Sequence, residues 1–333
     1  MKRSHVRRTL TLSAVLIIAA VLLAPWSALG AGQYPTKPIK LIVPYGPGGA
    51  TDLAARVLTS VIPEFLEQAV VVVNIRGAGG SVGVDSVRKS KPDGYTMLMN
   101  AIGANVLYPA KNPKLPYSYD EMAYIARTQI NPNVLIVKKG GKWKDFQSLA
   151  ADLKQNPGKF RYSTAGPGNV THLGPILLLN ELGLSNDAAV PVHYDSDNEA
   201  LLAVLQGEAD FAQGNLASFS SALKGGMVLG LAMTTPERVK GYDEIVTYTE
   251  LGYPKIDIVG WRGISGPPGL PEEIVKIWEE AAAKTCQSPS WLKLVGKLGD
   301  EPGYMNTKDY NAFVHADFKR YRKLFTDLNL LVK

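Results

Sequence analysis

Apolar positions in this chain come in short runs, each giving way to a glycine-rich turn and then to apolar residues three and four apart. The run Ile-Lys-Leu-Ile-Val-Pro-Tyr at 39–45 predicts a strand. It passes into Gly46-Pro47-Gly48-Gly49-Ala50-Thr51-Asp52, and then into a helical pattern with Leu53, Val57, Leu58 and Val61 on one side. Pro63 kinks or restarts that helix. Four consecutive valines at 70–73 leave no polar face, which predicts a buried strand of the parallel type. Arg76-Gly77-Ala78-Gly79-Gly80-Ser81 makes a second turn, followed by a helix over 82–89, a turn at Pro92-Asp93-Gly94 and a third strand over 95–99. Alternating strand and helix predicts an α/β architecture of parallel strands.

The pattern starts afresh near Asn131, with a strand over 134–137, a helix over 143–153 and a strand over 160–163. That strand runs into Gly166-Pro167-Gly168-Asn169-Val170-Thr171-His172 and a helix carrying Leu173, Ile176, Leu177 and Asn180, with Gly183 placed to cap it. The turns at 46–52 and 166–172 share four of seven positions in the same strand-turn-helix context. Further on come a helix over 200–206, strands over 209–212 and 228–233, a helix opened by Pro271 with Ile274, Ile277, Trp278 and Ala281 inward, and an amphipathic helix over 307–328 that closes a core.

Charge changes the picture only at the start. The formal net charge of +6 includes Lys2, Arg3, Arg7 and Arg8, in a leader without acids; beyond residue 30, 32 basic side chains face 30 acidic ones. That excess is too small for a nucleic-acid footprint. The four basic residues precede an apolar run at 14–24, then Pro25 and small residues ending Ala28-Leu29-Gly30-Ala31, the order of a secretory signal peptide cleaved after Gly30. The rival is an uncleaved anchor over the uncharged 9–29, which Thr11, Ser13, Pro25 and Ser27 dilute. A single cysteine, Cys286, excludes an intrachain disulfide and a cysteine-based metal site.

The first N–H groups of a helix lack intrahelical acceptors and sit at the positive end of its dipole, so an open glycine turn before a helix can hold an anion. Gly48 and Gly49 would let a ligand oxygen reach backbone nitrogen while Thr51 adds a hydroxyl, and Gly168, Asn169 and Thr171 offer the same in the second half. Glycines also serve simply to make tight turns; the repeat, with Thr at the same offset, weighs against that reading. Facing each other, two such turns suit a ligand with two carboxylates, or with one carboxylate and one polar end. Neither turn carries the third glycine of a dinucleotide loop or a Walker lysine. Past the leader there are only His172, His193 and His315, with no metal-type histidine spacing. His172 follows the second turn and is open between a ligand contact and a structural role. No catalytic residue, metal or cofactor is expected.

Tyr34-Pro35-Thr36-Lys37-Pro38-Ile39, Pro47-Gly48-Gly49-Ala50-Thr51-Asp52, Gly77-Ala78-Gly79-Gly80, Pro92-Asp93-Gly94-Tyr95-Thr96, Gly252-Tyr253-Pro254 and Trp261-Arg262-Gly263 follow one another. In this order the chain resembles the Bug family, the periplasmic substrate-binding proteins of tripartite tricarboxylate transporters. The resemblance implies a bilobal type II clamshell of two parallel-sheet lobes joined by crossing strands. Residues 1–30 are then the signal peptide, 31–128 plus 241–333 one lobe and 129–240 the other. The ligand is implied to lie between Tyr45, Gly48, Gly49, Ala50, Thr51 and Asp52, the loop of Ala78, Gly79, Gly80 and Ser81, and the segment with Ser163, Thr164, Gly168, Asn169, Val170, Thr171 and His172. Tyr194, Asp195 and Asn215 are implied as further contacts. The function implied is capture of a small organic carboxylate (a di- or tricarboxylate, an aromatic acid or an amino acid) by a periplasmic monomer that delivers it to integral-membrane transporter subunits. Ligand sensing for a signalling receptor is the alternative, and a periplasmic hydrolase a more distant one. After Tyr194 the family usually shows a basic residue and glycine, whereas this chain has Asp195-Ser196-Asp197, a negative mouth at which Asp195 is expected to set the ligand class by disfavouring polyanions; Arg262 could compensate for it, and a solvated hinge arginine is the blander reading.

Overall fold

Residues 34–332 are described in the computed structural model, and from Lys37 onward they form one body. The expected leader lies outside the described residues.

Strand β1 (Ile39–Val43) is buried except at Lys40. It runs parallel to β2 (Val70–Asn74) on one side, with Ile39 opposite Val70, and to β3 (Thr96–Ala101) on the other, with Leu41 opposite Met97. Beyond β3 the pairing turns antiparallel through β10 (Gly260–Gly266), β4 (Ala123–Asn131) and β11 (Glu301–Met305), giving the order β11-β4-β10-β3-β1-β2. A second sheet has the order β7-β6-β8-β5-β9, where β5 is Asn133–Lys138, β6 Phe160–Thr164, β7 Ala189–His193, β8 Phe211–Asn215 and β9 Val228–Met233. Here β6 is parallel to β7 and β8, while β5 is antiparallel to β8 and β9. The parallel strands foreseen from the alternation are thus three at one end of each sheet, and antiparallel strands complete both.

Two expectations are corrected. The valine strand β2 is an edge, and Val71 is half exposed. A run of β-branched residues reports a preference for the pleated conformation as much as burial, so it does not separate an edge from a centre. The return of the chain also falls later than residue 241. Tyr242 and Ile245 pack with Phe219 and Val228, and Tyr248 and Ile256 with Phe160 and Phe211, all on the second sheet; Ile258 is the first residue back in the core of the first. On the outward path only Pro132 separates β4 from β5.

Both faces of the second sheet are covered. Leu135 and Val137 of β5 join one apolar cluster and the intervening Val134 and Ile136 the other, so strict alternation of side chains divides four apolar residues between two cores. On the first sheet, Tyr310, Tyr321 and Phe325 of the last helix (Thr307–Asp327) pack with Ile42, Leu98 and Trp261.

Candidate ligand-binding site

A cavity of about 80 Å³ opens where chain ends from both sheets converge: Tyr45, Gly49 and Thr51 after β1, Ala101 and Gly103 after β3, Asn131 at the end of β4, Ala165 and Asn169 after β6, Asp195 and Asp197 after β7, and Asn215 at the end of β8. Gly260, Trp261 and Arg262 at the start of antiparallel β10 close the wall. Ligands of open α/β sheets bind at such carboxyl ends. At ~10–15 Å³ for each water-sized group, the space takes a small molecule.

The two turns alike in sequence differ in chemistry. Helix α1 (Ala50–Thr59) begins at Gly49, which has extended dihedrals and no side chain to cap the first turn. Asp52 does not face the cavity: its Oδ2 accepts from the Gly48 N–H at 2.9 Å and Arg56 Nε at 2.8 Å, and its Oδ1 from Asn74 Nδ2 at 3.0 Å. Burial pushes its carboxyl up, but the hydrogen bonds from Arg56, Gly48 and Asn74 outweigh burial and leave it below the usual carboxylate range. Asp52 therefore holds the loop, in which Gly48 has a φ of +77° that favours glycine, at the point where Ala50 and Thr51 line the cavity.

The equivalent helix of the second half, Val170–Glu181, is capped by its own chain. Asn169 Oδ1 accepts from the N–H groups of Thr171 (3.0 Å) and His172 (3.2 Å) and from the Thr171 hydroxyl (2.6 Å). Thr171 Oγ1 in turn accepts from the Ala165 N–H at 2.9 Å. The fourth position of the repeat decides the outcome: glycine at 49 leaves donors for a ligand, asparagine at 169 uses them.

Arg262 is not the solvated hinge arginine of the blander reading. It is 2% exposed, and its guanidinium donates from Nη1 to Asp300 Oδ2 at 2.8 Å, from Nε to Thr51 Oγ1 at 3.3 Å and from Nη2 to Asn215 Oδ1 at 3.3 Å. Gln129 Nε2 adds a 2.6 Å bond to the same Asp300 oxygen. Burial lowers the Arg262 pKa against the pull of Asp300, Asp197 and Tyr45, and burial raises those of Asp300 and Asp197. Burial also raises that of Tyr45, against the Ala104 backbone N–H and Arg262. Gly103 admits the Tyr45 hydroxyl, since a Cβ there would stand 2.7 Å from it.

Of the residues expected at the site, the cavity brings together Tyr45, Gly49, Ala50, Thr51, Asn169, Val170, Thr171, Asp195 and Asn215. The others stand outside its wall. Gly48 lies behind Gly49, and Asn198 Nδ2 donates to its carbonyl at 2.9 Å. In the loop of Ala78, Gly79, Gly80 and Ser81 the glycines serve packing: a Cβ on Gly79 would meet the Tyr108 ring at 3.2 Å, and one on Gly80 would meet Ala104 Cβ at 2.8 Å. Ser81 Oγ donates to the Ala78 carbonyl. Ser163 Oγ donates to the Ala200 carbonyl, Thr164 Oγ1 pairs with His193 Nδ1 at 2.7 Å, and Tyr194 hydrogen-bonds Glu208. His172 is buried, with Nδ1 accepting from the Gly168 N–H at 2.9 Å; burial, then His193 and Lys111, depress its pKa to about 3.

The sequence named Asp197 only as part of an acidic mouth and left Arg262 open, and each carries a further signal. Ser196 and Glu199 have capping-box spacing, and Ser196 Oγ accepts from the Glu199 N–H, which starts the helix Asp197–Gln206 at Asp197. Arg262 is the one charge over 258–270, and a lone charge in an apolar strand needs a buried partner.

Two mixed sheets joined by crossing strands, with a small polar cavity at their strand ends, define the bilobal periplasmic binding-protein fold. The structure of the periplasmic binding protein BugD matches with a TM-score of 0.83 at 25% identity, over 90% of this chain and 100% of that one. R. palustris Rpa4515, solved with adipate, matches with a TM-score of 0.84 at 25% identity, over 89% and 98%. Protein BugT of Bordetella pertussis is 28% identical over 95% of this chain and 96% of its own length. The model of the tripartite tricarboxylate transporter family receptor matches residues 54–330, and the chain belongs to that family of substrate-binding proteins.

Proposed function

We propose that this protein is an exported, monomeric receptor that captures a small organic carboxylate between its two lobes and hands it to the membrane subunits of a tripartite transporter. The observation that carries the reading is the uncapped start of α1 beside a buried arginine in one cavity. A ligand carboxylate there accepts from the Ala50 and Thr51 N–H groups, the Thr51 hydroxyl and the remaining N–H groups of Arg262. Export is supported by the leader expected at 1–30, and delivery to a transporter by family membership. The lobes in this reading are the two sheets with their helices, hinged where the chain crosses at Pro132 and near residue 257.

Titration calorimetry of the secreted protein against a panel of small carboxylates tests capture, and heat from at least one of them is expected. A panel that binds nowhere, or binds unchanged to Thr51→Val, removes the carboxylate from this turn. Loss of uptake of the bound acid on deleting the gene tests delivery.

A further inference from the structure

Asp197 lines the cavity and is 7% exposed. Its Oδ2 accepts from Asn215 Nδ2 at 2.6 Å and Ser218 Oγ at 3.4 Å, whereas its Oδ1 has no hydrogen-bond partner among the described residues. A buried carboxylate oxygen without a donor is costly. The nearby cation does not supply one, because Arg262 directs its bonds to Asp300, Thr51 and Asn215. Asp197 and Asp300 together offer two acids to the single guanidinium of Arg262, which of the two bonds only Asp300.

We propose that Asp197 determines specificity by selecting small zwitterions, with the ligand carboxylate at the start of α1 and its ammonium against Asp197 Oδ1. This rests on the carboxylate reading above and narrows it. An ammonium supplies both the missing donor and a cation for the second acid, and a charge-assisted hydrogen bond inside a cavity is among the stronger polar contacts. A second carboxylate in the same place meets an anion instead, and such repulsion is how sites reject close analogues. Burial raises the Asp197 pKa while Asn215, Arg262 and Ser218 pull it down, so an added cation favours the ionised form. The Asp195 expected to set the ligand class is exposed at the mouth; the selecting acid is two residues on.

The test compares amino acids with their deamino analogues by calorimetry: alanine with propionate, aspartate with succinate, and phenylalanine with 3-phenylpropionate. In any pair that binds, the amino member is expected to be at least tenfold tighter on the wild type. Asp197→Asn keeps an acceptor for Asn215 and is expected to abolish or reverse that preference. A wild type that prefers the deamino members overturns the assignment and points to a protonated Asp197 donating to a second carboxylate. A preference that survives in Asp197→Asn overturns it too. In both cases the carboxylate reading stands; if neither member of any pair binds, both fall.

Discussion

Thr51 and Thr171 hold the same position in the two turns, and their hydroxyls have different work. Thr51 Oγ1 lies in the cavity wall with Arg262 on it, while the Thr171 hydroxyl is spent between Asn169 and the Ala165 N–H. Thr51→Val is therefore expected to weaken carboxylate binding by about one to two powers of ten, as for a charge-assisted bond of ~1.5–3 kcal/mol, and also to lower Tm, since the buried Arg262 Nε–H loses its acceptor. Thr171→Val is expected to lower Tm and leave affinity near wild type; calorimetry separates the two, and equal affinity losses would mean that both turns hold ligand. His172 gives a pH prediction. Its folded pKa of about 3 lies below the ordinary histidine value, so between the two the unfolded chain binds the extra proton. This contribution is fully present above pH ~6.5 and is lost as pH falls toward 3, up to ~4–5 kcal/mol in all. Asp197 and Asp300 carry shifts of the opposite effect, which cancel when wild type is compared with His172→Gln. The variant keeps an acceptor for the Gly168 N–H and should lose less Tm between pH 7 and 4; parallel Tm curves would refute the assignment. From the sequence, the threonines and the turn glycines were legible as site candidates. Their division was not, because it depends on whether a neighbouring side chain consumes the donors.

At the scale of elements, the first turn can be blocked without unfolding it. Gly49 has φ −73° and ψ 164°, dihedrals any residue adopts, and a Cβ there would meet its nearest atom, the Gly46 carbonyl oxygen, at an ordinary 3.6 Å. Gly49→Asp supplies the cap that the first turn lacks, worth ~0.5–2 kcal/mol at an N-terminus. It also points an anion at the donors a ligand carboxylate would use. Tm is expected to hold or rise while affinity falls at least tenfold, and Gly49→Ala should bind near normally; binding retained in Gly49→Asp would take the carboxylate away from α1. The elements themselves were read unevenly. Strands followed by helices were legible, since the period changes from 2 to 3.6 at a glycine turn, and β9 was placed at its observed bounds. Strands β10 and β11 were not: Gly-Trp-Arg-Gly-Ile-Ser-Gly and Glu-Pro-Gly-Tyr-Met hold few branched residues, and their strand character comes from pairing with β3 and β4. Arg262 stayed open between hinge and cavity with them, because a residue not known to be in a strand cannot be known to face a cavity.

At the scale of the whole molecule, the two sheets approach across the cavity through few polar contacts. Asn198 Nδ2 reaches the Gly48 carbonyl at 2.9 Å, Arg262 Nη2 reaches Asn215 Oδ1 at 3.3 Å, and Lys111 lies beside Gly168, where a Cβ would stand 2.7 Å from its Cδ. Burial lowers the Lys111 pKa, so the lysine favours separation when charged. The helix Val170–Glu181 also packs Val170 and Leu173 with Ile102 and Trp261, and the two chain crossings are short enough to act as a hinge. A ligand touching both sides adds what closure lacks, so the radius of gyration from solution scattering is expected to fall when a bound acid is added. Asn198 is exposed and touches the first turn only through the Gly48 carbonyl, so it acts on closure and leaves the donors of α1 unchanged. Removing one neutral hydrogen bond of ~0.5–1.5 kcal/mol in Asn198→Ala should weaken binding by about two- to tenfold. The loss should fall on the dissociation rate, because the open form that admits ligand is untouched. Stopped-flow fluorescence can follow this through Trp261, which lines the cavity and donates from Nε1 to Asp317 at 2.7 Å. A slower association rate with unchanged dissociation, or a radius of gyration indifferent to ligand, would mean that the site is rigid and that Asn198 merely decorates its rim.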